Sequence, residues 1–157
     1  MNIQMKEMRR QDRAISEKEA VDLLNPAEYG VLSTVNENGE PYGVPLNFCV
    51  IEDCIYFHCA PEGQKIDNIL RNRSVSFCVV GNTEVLPGKF STKFASTIVS
   101  GEAEEVFALD KQRALEGLLK KYSADFFDKG KKYIAEVNEK TRVFKITIKE
   151  LTGKARK

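Results

Sequence analysis

The chain has one histidine in 157 residues, and that scarcity removes most imidazole-based metal chemistry at once. A zinc site would need further ligands at short fixed spacings, yet Cys49, Cys54, Cys59 and Cys78 form no C-x-x-C pair. Neither a metal centre nor a disulfide framework is expected; free thiols acting as small apolar groups on strands are. Charge of neither sign is in excess, since 24 Lys and Arg stand against 23 Asp and Glu. Nothing therefore points to nucleic acid or to an anionic membrane as partner. The longest uncharged stretch, Pro41 to Ile51, is far shorter than the roughly 20 apolar residues of a membrane span. The polar start MNIQMKEMRRQDR has no apolar signal core. There is no G-x-G-x-x-G fingerprint, internal repeat, low-complexity tract or linker. One domain over residues 1–157 and a cytoplasmic location are the expectations.

What is present concentrates between Asn36 and Leu70, NENGEPYGVPLNFCVIEDCIYFHCAPEGQKIDNIL. Tyr42, Val44, Leu46, Phe48 and Val50 alternate with Gly43, Pro45, Asn47 and Cys49, the period of a strand with one apolar face. Tyr42 and Phe48 read as core. After a turn at Glu52 and Asp53, Cys54 to Ala60 alternates again, with Ile55, Phe57 and Cys59 on one side and Tyr56 and His58 on the other. From Gly63 the period changes: Ile66, Ile69 and Leu70 define a short amphipathic helix with Lys65 in its first turn. A helix start attracts negative charge, so a cation there goes against the usual preference unless an anion joins it.

Elsewhere, Ser16 with Glu19 forms a capping box for a helix carrying Ala20, Leu23 and Leu24, ended by Pro26. Tyr29 to Val35 is a strand, joined through Asn36 to Gly39 in a hairpin. Arg73 to Val80 is another strand, and Gly81 to Gly88 reads as a loop. In Lys89 to Val106, Thr97 to Val99 favour strand, and Glu102, Glu104 and Glu105 resemble a solvated strand edge. Asp110 to Tyr122 is the clearest helix, followed by Asp128 to Val137. Arg142 to Ile148 is a closing strand before the basic tail LTGKARK. Five or six short strands with links too short for parallel crossovers imply an antiparallel barrel of the α+β class.

The succession MRRQDRAIS, YGVLSTVNENGEPYGVPLNF, IYFHCAPEGQKIDNI and a strand with a Phe-Cys pair resembles the FMN-binding split-barrel proteins related to pyridoxamine 5'-phosphate oxidase, most of all the nitroimidazole-resistance group. The resemblance, from about Met8 to about Lys154, implies an α+β, mainly β fold: an antiparallel six-stranded split β-barrel with flanking helices. It implies FMN along Val44, Pro45, Leu46 and Asn47, with the ribityl chain and phosphate passing His58, Cys59, Ala60, Gly63, Lys65 and Asn68. It also implies a homodimer in which Lys93, Phe94 and Ser96 reach the partner's flavin. The activity implied is FMN-dependent reduction of a small electron-poor acceptor, such as a nitroaromatic, with His58 as the catalytic candidate. A non-enzymatic flavin module and a haem-binding member of the same barrel are the alternatives. Pyridoxamine 5'-phosphate oxidation itself is not expected, because LTGKARK is shorter than the arginine-containing segment of the true oxidases. Plainer roles stay open for the same residues: Lys65 as a solvated lysine, Asn47 as the polar face of an edge strand, His58 as a structural hydrogen-bonding residue, and Lys93 with Lys89 as a basic rim.

Overall fold

The computed structural model describes residues 5–156; residues 1–4 and Lys157, the two ends of the expected domain, lie outside the described residues. In chain order the elements are β1 (Ala14–Ile15), α1 (Glu17–Leu24), β2 (Gly30–Val35), β3 (Pro41–Leu46), β4 (Cys49–Ile51), β5 (Cys54–Cys59), α2 (Gln64–Arg71), β6 (Ser74–Leu86), β7 (Ser91–Val106), α3 (Ala108–Tyr122), α4 (Phe127–Val137) and β8 (Arg142–Arg156). The strands form one antiparallel sheet in the order β3-β2-β6-β7-β8-β5-β4, with β1 paired to β8. The two ends of that order, β3 and β4, are consecutive in the chain. The sheet must therefore curl until its first and last strands meet, which makes it a split barrel with its seam at Asn47 and Phe48.

Local chemistry accounts for several boundaries. Ser16 Oγ accepts from Glu19 N while a Glu19 carboxylate oxygen accepts from Ser16 N, the full capping box. The hairpin between β2 and β3 turns at Gly39, φ 79°, with Asn36 Oδ1 accepting from the N–H groups of Asn38 and Glu40. Gly101 sits at an irregularity in the β7–β8 ladder, and a Cβ there would stand 2.3 Å from Thr147 O. Only glycine lets the two backbones approach so closely.

Three expectations are corrected here. Tyr42 to Val50 is not one strand: β3 pairs with β2, β4 pairs with β5, and the chain crosses the seam between them. That split and the two-residue β1 turn the expected six strands into eight. Gly81 to Gly88 is not a loop, since β6 runs on to Leu86 against β7, absorbing an irregularity between Gly81 and Glu84. In the acidic run the β6 ladder reaches only Glu102, so Glu104 and Glu105 do lie along an edge with β8 alone beside them, and Lys149, Lys145 and Arg142 of β8 meet the three carboxylates. The tail, in contrast to the expected strand end at Ile148, extends β8, pairing with β7 as far as Arg156.

Two apolar layers result. Inside the barrel, Leu32, Phe48, Ile55, Phe57, Phe77, Val99, Phe144 and Ile146 are fully buried, each large side chain contributing roughly 1.5–3 kcal/mol. Phe48 meets Phe77 edge-on at 4.9 Å, and Phe57 stacks on Phe144 at 5.6 Å. Outside, α3 and α4 cover Cys49, Tyr56 and Val143 with Ala114, Leu115, Leu118 and Ile134. Phe48 is core as expected. Tyr42 is not, remaining 41% exposed at the open end of β3. Cys49, Cys54, Cys59 and Cys78 are all free thiols, the first and third buried.

Candidate functional site

The seam places together residues that the chain carries eleven positions apart. In the β4–β5 ladder Cys49 faces Tyr56, so continuing that register by two residues brings Asn47 opposite His58. Both turn to the outer side, because Phe48, Phe57 and Cys59 take the inner one. The ladder itself stops short of them. Phe48 N–H instead donates to the Tyr122 hydroxyl at 3.1 Å, and that hydroxyl lies 2.7 Å from Glu28 O, to which it donates. The last residue of α3 thus fastens both lips of the seam.

Beyond this pin, Asn47 and His58 open into a groove of about 400 Å³ between α3 and α4, whose walls include Leu118, Leu119, Tyr133 and Ile134 and which Lys140 and Thr141 also line. His58 is exposed at its mouth. Enough protein surrounds the imidazole that desolvation, and secondarily the charge of Lys65, pulls its pKa below the ordinary 6.5. The neutral ring is therefore favoured at neutral pH. Burial pushes the Cys59 thiol up, against the opposing pull of Lys65 and Arg142, so it is a packed thiol rather than a nucleophile.

Lys65 stands at the start of α2, whose cap, Gly63, adopts φ 157°, ψ 163° with no side-chain cap, a conformation open essentially to glycine alone. The helix's own bonds begin with Ile66 and Asp67 N–H donating to Gly63 O, which leaves the preceding N–H groups of Gln64 and Lys65 outside the helical ladder. Among the described residues Lys65 has no ion pair. The approach to this helix is held by Arg142, which donates to Pro61 O at 3.2 Å and grips Glu105 through Nε at 3.0 Å.

Of the residues singled out in the sequence, Pro45, Asn47, His58 and Ala60 are exposed, Val44, Leu46, Gly63 and Lys65 half-buried, and Cys59 buried. Val44 and Leu46 pack against the barrel interior, so the open edge of β3 presents its backbone rather than those side chains. Asn68 is 1% exposed. Its amide donates to Thr34 Oγ1 at 2.9 Å and accepts from Gln64 Nε2 at 2.7 Å, so it anchors α2 to β2 instead of sharing a ligand-facing side with Lys65. Lys93, Phe94 and Ser96 lie on β7, three strands from β3 in the sheet order, roughly 14 Å at about 4.8 Å per spacing. They line a separate cavity of about 550 Å³ with α1 and β8, apart from Ser96, which lies on the β7 segment paired with Lys154. Within one chain they do not join the seam.

The model described as pyridoxamine 5'-phosphate oxidase matches residues 16–155. The chain belongs to that family. Among solved structures, this family member is similar to a candidate 5-nitroimidazole antibiotic resistance protein from Bacteroides thetaiotaomicron, 24% identical over 90% of this chain and 85% of that one, TM-score 0.74. It is also similar to a conserved hypothetical protein from Mycobacterium tuberculosis, 21% identical over 95% and 90%, TM-score 0.81. A FAD- and haem-binding protein from Mycobacterium smegmatis is 16% identical over 90% and 72%, TM-score 0.75. At these identities the likeness is one of fold. No curated protein matches the chain.

Sequence reasoning missed three features of the site: Tyr122 as the seam pin, Arg142 as the support of the Pro61 turn, and the helical walls of the groove. Tyr122 reads from its spacing as one more apolar residue of the α3 stripe, and only its hydroxyl distinguishes it. Arg142 begins a strand and carries no local signal. Among the described residues no group of three His, Cys, Asp or Glu side chains could hold a metal ion, and no helix is long and apolar enough to cross a membrane.

Proposed function

We propose that the seam binds a flavin, as FMN, and that the protein is a flavin-dependent oxidoreductase reducing a small electron-poor acceptor such as a nitroaromatic. The observation that carries the reading is Lys65: a cation without an ion pair beside the free first-turn N–H groups of α2, within electrostatic range of His58. Such a helix start suits a phosphate. The exposed edge of β3, from Val44 to Asn47, offers main-chain groups along which a planar ring can lie, and Asn47 offers an amide. When bound, the flavin would supply the hydride chemistry; the chain orients it and shields one face. The FAD-binding relative and the nitroimidazole-resistance relative support a flavin and a nitro acceptor respectively.

One observation favours a second reading, a flavin module without turnover: the only histidine is held toward its neutral form and is a weak proton donor at neutral pH. Anaerobic stopped-flow reoxidation of the reduced flavin, with and without a nitroaromatic, separates the two, since only the oxidoreductase reoxidises faster with the acceptor.

The flavin reading is tested by titrating the wild type and Lys65→Ala with FMN and with FAD. The variant should lose about 1.5–3 kcal/mol of FMN binding, roughly ten- to a hundredfold, with unchanged thermal stability. An unchanged dissociation constant would make Lys65 a surface residue. The protein is further proposed to be a homodimer, supported by an apolar row across the outer face of the sheet. There the register aligns Pro45, Val31, Cys78 and Ile98, with Val31 and Ile98 both exposed. Light scattering that returns a monomer would also remove Lys93, Phe94 and Ser96 from the site.

A further inference from the structure

We propose that the groove between α3 and α4 is the acceptor pocket, and that it selects planar aromatic molecules carrying an anionic or hydrogen-bond-accepting substituent over cationic ones. This deepens the oxidoreductase reading and rests on it for the role of the bound molecule, though the binding itself does not require a flavin.

The groove's size, about 400 Å³, falls in the range of small-molecule sites and accommodates one or two fused rings. Its long walls are aliphatic, Leu118 and Leu119 from one helix and Ile134 from the other, with Tyr133 on the rim, 63% exposed. An aromatic ring left at such a rim, with no hydrogen bond among the described residues, is a surface on which a second ring can stack. The Tyr122 hydroxyl is already engaged across the seam, so Tyr122 presents its ring and not a polar group.

The polar side chains gather along the sheet floor and at the end of α3, where Ser123 also lines the groove. At the seam end are Asn47 and His58, both able to donate a hydrogen bond, the neutral imidazole through one nitrogen. Leading into the neighbouring strand β8, Thr141 stands two residues before Val143, which pairs with His58, and its hydroxyl donates to Val137 O at 3.1 Å; Lys140 next to it has no ion pair among the described residues and is the free donor there. No carboxylate lines the groove. The charge that acts on His58 directly is also positive, that of Lys65 on α2. A cationic ligand would meet no counter-charge there, whereas a carboxylate or nitro group finds the donors of Asn47, His58 and Lys140. The seam end is also where the proposed flavin edge lies, so a ring seated in the groove would reach the cofactor over Asn47 and His58.

The test is isothermal titration of FMN-saturated protein with benzoate, a redox-inert planar aromatic anion, and with benzylamine as its cationic counterpart. Benzoate should bind at one site per chain and benzylamine about tenfold more weakly or not at all, a difference of roughly 1.4 kcal/mol. Lys140→Glu should weaken benzoate by roughly fivefold or more, and Tyr133→Ala by about threefold, both at exposed positions where folding is preserved. Lys65→Ala, examined at saturating FMN, should leave benzoate unchanged. No benzoate binding, equal binding of the two probes, or indifference to Lys140→Glu would overturn the proposal. So would a loss in Lys65→Ala as large as in Lys140→Glu, which would place benzoate in the phosphate seat. Repeating the titration without FMN separates this proposal from the one beneath it: charge-selective benzoate binding by a protein that takes up no FMN would uphold the groove and end the flavin reading.

Discussion

Replacing Tyr122 with phenylalanine removes one oxygen atom and tests whether the seam is held as described. In the wild type the hydroxyl accepts from Phe48 N at 3.1 Å and donates to Glu28 O at 2.7 Å. Phe48 is fully buried, so its N–H has no water to turn to once the oxygen is gone; an unsatisfied buried donor costs about 1–3 kcal/mol. Glu28 is exposed, and water replaces its lost partner at small cost. The ring stays, so apolar packing in the groove is unchanged. The expected loss is therefore about 1.5–3 kcal/mol, or roughly 3–12 °C in Tm at about 2–4 °C per kcal/mol for a chain of this length. Urea unfolding followed by circular dichroism measures it, and an unchanged m-value would show that only stability has moved. A loss below about 0.5 kcal/mol would refute the pin, meaning that Phe48 N–H is satisfied in another way and that the lips of the seam are held by packing alone.

Gly101→Ala should destabilise by about 1–3 kcal/mol in the same assay, because its Cβ would meet the Thr147 carbonyl at 2.3 Å and a backbone atom cannot step aside; a neutral result would show that the ladder is slack there. Lys121 Nζ is buried without a hydrogen-bond partner, 3.7 Å from the centre of the Phe48 ring, and burial lowers its pKa from 10.5. Lys121→Met keeps the stem and removes the desolvated charge, so Tm should rise by a few degrees, on the order of 1 kcal/mol. The gain should shrink at alkaline pH, since with a lowered folded pKa the contribution of Lys121 is complete above 10.5 and is lost as pH falls through the folded value; a fall in Tm would mean that the cation–π contact dominates. His58 follows the same sign at lower pH: its contribution is complete above 6.5 and is lost as pH falls through the lowered folded value. The stability of wild type relative to His58→Gln should accordingly decline below pH 6.5, and a difference that grows on acidification would show that a carboxylate pairs with the imidazolium.

The parts of this fold that were legible in the sequence are those fixed by short-range chemistry. Ser16 and Glu19 announce α1, the Asn36 to Gly39 turn announces its hairpin, and the Leu115 and Leu118 stripe announces α3. What was not legible depends on which strand lies next to which. Tyr42 to Val50 alternates without a break, because Leu46 and Phe48 both face the interior, so nothing in the period betrays that the chain changes partner at Asn47. Gly81 to Gly88 has the composition of a loop, but β7 is long enough to carry β6 through it. The acidic run on β7 is legible as charged and not as paired, since its cations come from β8 some forty residues later. At the site, Asn47, His58 and Lys65 stand out by residue type, whereas Asn68 shows its structural role only once Thr34 and Gln64 are seen beside it.

The most direct measurement is the absorption spectrum of the purified protein before and after incubation with FMN and gel filtration. A flavin seated against β3 and the start of α2 predicts oxidised-flavin bands that remain with the protein at one FMN per chain and are lost or weakened in Lys65→Ala. A Soret band, or a protein that leaves the column colourless after FMN, would contradict a flavin at the seam.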